Sequence, residues 1–106
     1  MSVRLTANRF VRLFWKPTTP SLLFGTDYPG QEIAAHVHPH GQDTWTVISG
    51  EAEYYQGDGV ATHIKAGDIA IAKPGQVHGA MNSGPEPFIF VSVVAPANAG
   101  FALAEK

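Results

Sequence analysis

The sequence predicts an all-β fold in one domain, on three observations. The chain has 106 residues, which is within the usual size of a domain that folds alone. It contains 11 glycines and 8 prolines, with 44% hydrophobic and only 15% charged residues, a composition typical of short strands separated by turns. About nine short strand-like runs follow one another at close spacing, which is the pattern of a β-sandwich or barrel. We therefore predict a single domain over residues 1–106.

Proline and glycine mark the ends of the predicted strands. The first strand, Phe10–Trp15, is followed by prolines at positions 17 and 20, which favour an extended connector. Glycines at positions 50, 57 and 59 supply the positive φ that tight hairpin turns need. We predict that Ala95–Lys106 is coil or a short helical turn and assign it no function. The other predicted strands are Ser21–Thr26, Ile33–His38, Trp45–Ile48, Ala52–Gln56, Val60–Lys65, Ile69–Ala72, His78–Asn82 and Phe88–Val94.

Charge and composition exclude several classes of function. The net charge is −2 and no Lys/Arg cluster is present, so nucleic acid and anionic membranes are not expected partners. No apolar run has the form of a signal peptide or reaches the length of a membrane span, so we expect a cytoplasmic protein. The chain has no cysteine, which leaves imidazole and oxygen ligands for any bound metal.

His36 and His38 form the most informative pair in the sequence. Alternate side chains on a strand share a face, so these two imidazoles lie on the same side with Cα atoms about 6.5–7 Å apart. Both can reach one ion, because metal–nitrogen bonds are about 2.0–2.1 Å long for zinc and similar for related metals. A helix would need a different spacing, such as i and i+4. The pair therefore predicts half of a metal site on a strand.

The residues around this pair resemble the first cupin motif. Gly30 is followed after five residues by His36, His38 comes two positions later, and Asp43 and Gly50 follow after four and six intervening residues. This motif occupies residues 30–50.

A second stretch, residues 67–82, resembles the second cupin motif. Gly67-Asp68 leads to Pro74-Gly75, then to His78 after two residues and to Asn82 after three more. The order and spacing of both motifs match, so the chain is identified as a member of the cupin family, of the small single-domain type.

The resemblance implies a double-stranded β-helix, or jelly-roll, barrel that holds a metal ion inside. By position in the motifs, the implied metal ligands are His36, His38, Asp43 and His78. The implied cofactor is a divalent transition metal: iron, manganese, nickel, copper or zinc. Small cupins commonly form homodimers, and the apolar segment Phe10–Trp15 is our candidate for that contact.

The chain departs from the family pattern at Asp43, where the family usually has Glu. Asp is shorter by one methylene, roughly 1.5 Å of reach. Three roles are therefore open to Asp43: a direct ligand, a ligand through an intervening water, or a residue that only supports a three-histidine site. His40 and Gln42 are close enough in sequence to take its place as the fourth ligand. A second departure, Lys73 in place of Pro, is expected to be harmless because Pro74-Gly75 still supplies the turn.

Strand alternation also predicts which residues line the site. Trp45 and Val47 share the face of Asp43, and Ala34 shares that of His36 and His38. On the last long strand, Phe88, Phe90 and Ser92 form one face, and the sequence does not say whether that face is internal. The alternative is that the apolar members are simply barrel core. The candidate pocket residues are Ala34, His40, Gln42, Trp45, Val47, Phe88 and Phe90.

Two further polar residues are expected to have structural roles. Asn82 is predicted to hold a turn through side-chain to backbone hydrogen bonds. His63, in the middle of a predicted strand, is predicted to be a surface residue.

The site predicts metal-dependent chemistry on a small oxygenated organic molecule, such as a carbonyl compound, a sugar acid or a diketone. Dioxygenase, isomerase and lyase reactions all fit, because an ion held by three imidazoles keeps open positions. Asp43 is the candidate catalytic residue, as ligand or general base. The alternative is a non-catalytic module that binds a metal or metabolite, since the fold alone does not fix the function.

Overall fold

The computed structural model describes residues 20–106, which form nine β-strands. The predicted first strand, Phe10–Trp15, lies outside the described residues. Residues 20–106 include no helix that is long and apolar enough to cross a membrane. The strands are β1 (Ser21–Asp27), β2 (Glu32–Val37), β3 (Gln42–Ser49), β4 (Glu51–Gly57), β5 (Val60–Lys65), β6 (Ile69–Ala72), β7 (His78–Met81), β8 (Phe88–Ala95) and β9 (Ala102–Leu103). The all-β prediction is confirmed.

The strands form two antiparallel sheets that enclose the core. The four-stranded sheet has the order β1-β8-β3-β6 and the five-stranded sheet the order β5-β4-β7-β2-β9. Both sheets contribute buried side chains to one apolar cluster, which includes Trp45 and Phe90 from one sheet and Tyr54 and Ala80 from the other. The rings of Trp45 and Phe90 stack with their centroids 4.1 Å apart. The core therefore lies between the two sheets.

Side-chain alternation on β3 and β8 decides which residues face this core. Asp43, Trp45 and Val47 are all buried on β3, as the sequence predicts. Phe88 and Ser92 are likewise buried on β8, which settles the face that the sequence left open.

The C-terminal residues differ from the prediction. Ala95–Lys106 was expected to be coil or a helical turn, but Ala102 and Leu103 form β9 and pair with Val37 and His36 of β2. The edge of β2 offers unpaired backbone groups, and the end of the chain satisfies some of them. This pairing depends on a distant strand, so the local sequence carries no sign of it.

Asn82 has the structural role predicted for it. Its side-chain nitrogen donates to the carbonyl oxygens of Asp27 and Glu86, at 2.9 and 2.8 Å, and its oxygen accepts from the Gly84 amide at 2.9 Å. These bonds fix the connection between β7 and β8, next to the strand that carries His78.

Candidate metal centre

Both sheets contribute to a cluster of three histidines and one aspartate, called the interior cluster below. His36 lies on β2 directly opposite His78 on β7, and His38 follows one residue after the end of β2. Asp43 reaches the same place from β3 in the other sheet. One potential ligand atom from each residue lies within 4.8 Å of all the others. The structure thus brings together the four residues that the sequence placed in a metal site.

The three imidazoles of the interior cluster are oriented by the backbone. In each, Nδ1 lies within hydrogen-bond distance of a carbonyl oxygen, which accepts only from a protonated nitrogen. Nδ1 is therefore assigned the proton, and Nε2 is left with a free lone pair. The pairs are His36 with Ala34 at 2.7 Å, His38 with Gly100 at 2.7 Å and His78 with Gln76 at 3.1 Å.

Asp43 is buried among these rings and has several partners. Its Oδ2 lies 2.9 Å from Nε2 of His78 and 3.4 Å from Nε2 of His38. The indole Nε1 of Trp45 donates to Oδ2 at 3.1 Å, and the hydroxyl of Ser92 donates to Oδ1 at 2.6 Å. Trp45 and Ser92 therefore fix the carboxylate where it faces the histidines.

These contacts fit a metal ion. With the proton on Nδ1, Nε2 of His78 and Oδ2 of Asp43 are two acceptors that need a cation between them, either a second proton on the ring or a metal ion. Two ligands bound at about 2.1 Å to one ion lie about 3.0–3.4 Å apart in octahedral or tetrahedral geometry. The distances from Asp43 Oδ2, 2.9 and 3.4 Å, are close to that range. Nitrogen and carboxylate donors suit a divalent transition metal.

The electrostatics of the interior cluster agree with this fit. Burial lowers the pKa of His36, and the neighbouring imidazoles of His78 and His38 lower it further. Burial by itself would raise the pKa of Asp43, but the adjacent His78 ring and the hydrogen bonds from Ser92 and Trp45 together outweigh that effect and lower it. A neutral imidazole and an ionised carboxylate are the forms that bind metals.

Gly79 and a bulge in β2 bring His36 and His78 together. A Cβ atom at Gly79 would lie only 2.6 Å from the carbonyl oxygen of Ile33, so only glycine permits this approach of β7 to β2. The register of β2 shifts between Ile33 and His36, and the bulge places Ile33, opposite the buried Ala80, on the internal face.

The bulge also corrects the prediction for Ala34. Alternation from His36 puts Ala34 on the internal face, yet the residue is exposed. The alternation rule assumes regular pairing, and the extra residue of a bulge reverses the face.

His40 and Gln42, predicted as pocket residues and as replacements for Asp43, lie outside the interior cluster. Both are exposed. Gln42 is one position from Asp43 on β3 and thus on the opposite face, where its amide contacts the hydroxyl of Thr44 at 3.4 Å. His40 follows Pro39 in the turn between β2 and β3. Of the three residues considered for the fourth position, only Asp43 lies in the interior cluster.

The other predicted pocket residues are buried. Val47, Phe88 and Phe90 belong to the apolar core, which is the alternative the sequence allowed. Trp45 belongs to the core and also donates to Asp43.

Three residues near the interior cluster were missed as site residues. Ser92 shares a strand face with Phe88 and Phe90, which was the available signal. Gly100 and Phe101 come from the C-terminal segment, and Phe101 stacks on His36 with ring centroids 5.0 Å apart. No motif or spacing in the sequence points to these two residues.

The fold and the site define a double-stranded β-helix protein with a candidate metal centre. A family model described as the cupin domain matches residues 24–94, and the chain belongs to the cupin family. The predicted family and fold are confirmed.

Solved structures support the same assignment. An uncharacterised conserved protein with a double-stranded β-helix domain from Klebsiella pneumoniae is 76% identical, over 88% of this chain and 81% of that one, with a TM-score of 0.84. A predicted oxalate decarboxylase from Thermotoga maritima is 24% identical, over 71% of this chain and 64% of that one, with a TM-score of 0.67.

An oxalate oxidase in complex with the substrate analogue glycolate is 21% identical, over 80% of this chain and 46% of that one, with a TM-score of 0.71. The likeness to the two oxalate proteins shows the fold alone. Among proteins of curated function, none matches the sequence.

Proposed function

We propose that the chain binds one divalent transition metal through the interior cluster and is an enzyme acting on a small oxygenated organic molecule. The observation that best supports metal binding is the orientation of the three imidazoles, whose Nδ1 atoms all face backbone carbonyl oxygens. Their Nε2 atoms are left for an ion beside the buried carboxylate of Asp43. Iron, manganese, nickel, copper and zinc all accept this donor set.

The residues of the interior cluster have distinct roles in this proposal. His36, His38 and His78 hold the ion, and Asp43 either completes the ligand set or takes a proton from the substrate as a general base. A bound metal supplies Lewis-acid or redox chemistry and keeps positions open for a substrate oxygen. Ser92 and Trp45 keep the Asp43 carboxylate ionised and directed at the histidines.

The substrate class is supported by the site and by the names of the structural neighbours. Open positions on a hard or borderline ion favour oxygen ligands such as carbonyls and carboxylates. The neighbours include a predicted oxalate decarboxylase, an oxalate oxidase and a DMSP lyase. Decarboxylation, oxidation and elimination are therefore the first reactions to test, together with isomerisation of sugar acids and diketone cleavage.

The test is metal analysis of the purified protein followed by turnover assays. Oxalate, glycolate, DMSP, simple diketones and sugar acids form the panel, each with the protein loaded in turn with the five candidate metals. His78→Ala is compared with His63→Ala, which changes an exposed histidine. We expect activity that disappears only in His78→Ala, and activity that survives loss of His78 would contradict the proposal. Metal binding without turnover of any substrate would favour the non-catalytic module.

We also propose that the protein is a cytoplasmic homodimer. The chain belongs to the cupin family, whose small members commonly form homodimers through strand edges or an N-terminal strand. The apolar segment Phe10–Trp15, outside the described residues, remains our candidate contact. A molar mass in solution equal to one chain would contradict the dimer.

A further inference from the structure

Residues 99–106, called the C-terminal segment below, are held against β2 by backbone hydrogen bonds. The amide of His40 donates to the Ala99 carbonyl at 2.8 Å, and the amide of Ala104 donates to the Ala35 carbonyl at 3.0 Å. Ala99 is only 1% exposed. These bonds lie on both sides of β9, so the segment is held against the strand that carries His36.

The last residue adds a further attachment. The ammonium group of Lys106 lies 3.0 Å from Oε2 of Glu32 and 5.1 Å from the centre of the Tyr55 ring. The Tyr55 hydroxyl also donates to Glu32. Surface ion pairs are weak individually, but this one attaches the last residue of a segment that backbone hydrogen bonds already hold against β2.

Two residues of the C-terminal segment contact the interior cluster itself. The Gly100 carbonyl oxygen accepts from Nδ1 of His38 at 2.7 Å. The Phe101 ring lies 5.0 Å from the His36 ring at an interplanar angle of 30°, and 6.0 Å from the His38 ring. Phe101 is 62% exposed, so its ring lies at the surface of the molecule, beside the two imidazoles.

Gly100 is suited to its contact by its backbone. Its φ is +82°, and a Cβ atom there would lie 3.3 Å from Cδ of Pro39. A residue with a side chain would be strained in this left-handed conformation and crowded against Pro39. Glycine therefore allows the carbonyl to point at His38.

We propose that the C-terminal segment is part of the metal centre, with Gly100 as a positioning residue for His38 and Phe101 as an apolar wall over His36 and His38. Metal binding and attachment of the segment then strengthen each other. This inference rests on the proposed function, because it requires that the interior cluster binds a metal.

The coupling has a direct physical origin. A cation at Nε2 withdraws electron density from the imidazole, which makes Nδ1–H a stronger donor to the Gly100 carbonyl. In return, the carbonyl fixes the ring orientation and raises its basicity toward the ion. Because coupling between two binding events is reciprocal, the factor by which the segment raises metal affinity equals the factor by which metal favours the attached segment.

The first test measures Co²⁺ affinity by titration, with the ligand-field spectrum as a report on coordination. We expect about 10- to 100-fold weaker binding when residues 99–106 are deleted, the usual cost of losing an outer partner of a metal ligand. Phe101→Ala, which keeps the backbone bonds, is expected to weaken binding about 2- to 12-fold. Tyr28→Ala is the matched control, since Tyr28 is an aromatic residue that is 56% exposed and lies outside the C-terminal segment; its affinity should equal that of the wild type.

The second test measures hydrogen exchange at the Ala104 amide, which donates to Ala35. We expect Co²⁺ to slow this exchange in the wild type and to leave it unchanged in His78→Ala. If the wild type binds Co²⁺ but the truncated and Phe101→Ala proteins bind it equally well, or if exchange does not respond to Co²⁺, this inference is wrong while the proposed function stands. If the wild type binds no metal, both this inference and the proposed function are wrong.

Discussion

Histidine side chains lie beside carboxylates in two regions of this molecule, which differ in burial and in the groups that orient the rings. In the interior cluster, three imidazoles surround the buried Asp43. On the outside of the five-stranded sheet, His63 lies between two glutamates, with Nδ1 2.6 Å from Oε2 of Glu53 and Nε2 3.7 Å from Oε2 of Glu51. This surface cluster, Glu51, Glu53 and His63, is about half exposed, as predicted for His63.

The difference lies in what holds each ring. Backbone carbonyls fix the interior imidazoles, so their second nitrogens converge in a cluster of which His36, Asp43 and His78 are buried. At His63 both nitrogens face side-chain carboxylates on a neighbouring strand, where solvent competes and salt screens the charges. Residue type alone therefore does not distinguish a candidate metal ligand from a surface ion pair; burial and backbone support do.

The largest expected effect is on metal binding when a histidine is removed from each region. His78→Ala takes away a proposed ligand that has no substitute within the interior cluster, so we expect affinity for the metal to fall at least about 100-fold, beyond the 10–100-fold typical of outer partners. His63→Ala should leave it unchanged. Calorimetric titration of both variants checks this, and equal losses in the two would remove the distinction between the regions.

A smaller effect is expected when the interior carboxylate loses its charge. Asp43→Asn keeps an oxygen that can accept from Ser92 but removes the negative charge that faces His38 and His78. We expect about 10- to 100-fold weaker metal binding. Asp58→Asn, at an exposed turn with a φ of 56° that asparagine tolerates, is the control. Unchanged affinity in Asp43→Asn would assign the site to three histidines alone.

Separating β7 from β2 should destabilise the fold around the interior cluster without changing any of the four residues in that cluster. Gly79→Ala places a Cβ atom 2.6 Å from the Ile33 carbonyl, and we expect it to destabilise the fold by about 1–3 kcal/mol more than a matched variant. The match is Gly75→Ala, which has a positive φ and no atom within 4 Å of the added Cβ. Chemical unfolding of the two variants tests this; equal losses would mean that the close approach is not required.

The smallest effect is the pH dependence of the surface cluster. The hydrogen bond with Glu53 raises the pKa of His63 above its unfolded value of about 6.5. The contribution of protonated His63 to the free energy of unfolding is therefore complete below that unfolded value, and it is lost as the pH rises through the folded pKa. Unfolding of the wild type and His63→Ala from about pH 5.5 to 9 should show a difference that shrinks with pH; a difference constant with pH would contradict it.

Much of the interior cluster was predictable because the chain resembles the two cupin motifs. Strand spacing placed His36 and His38 on one face, and the resemblance added Asp43 and His78, which the fold brings together with them. Alternation also placed Trp45 correctly beside Asp43, because β3 is regularly paired through that part of its length.

The failures have physical causes at particular residues. Alternation is wrong at Ala34, because a bulge adds a residue to β2. Gly100 and His38 are 62 positions apart, and their contact depends on the whole path of the chain. Such a contact leaves no local periodicity, so the sequence predicts no role for the C-terminal segment.

We propose that the interior cluster, and not the surface cluster, holds a metal. Anomalous diffraction at the absorption edge of the metal identified in the purified protein locates that ion. We predict one strong peak between the Nε2 atoms of His36, His38 and His78 and Oδ2 of Asp43. No peak at that position in metal-loaded crystals, or a peak at His63 instead, would contradict the account.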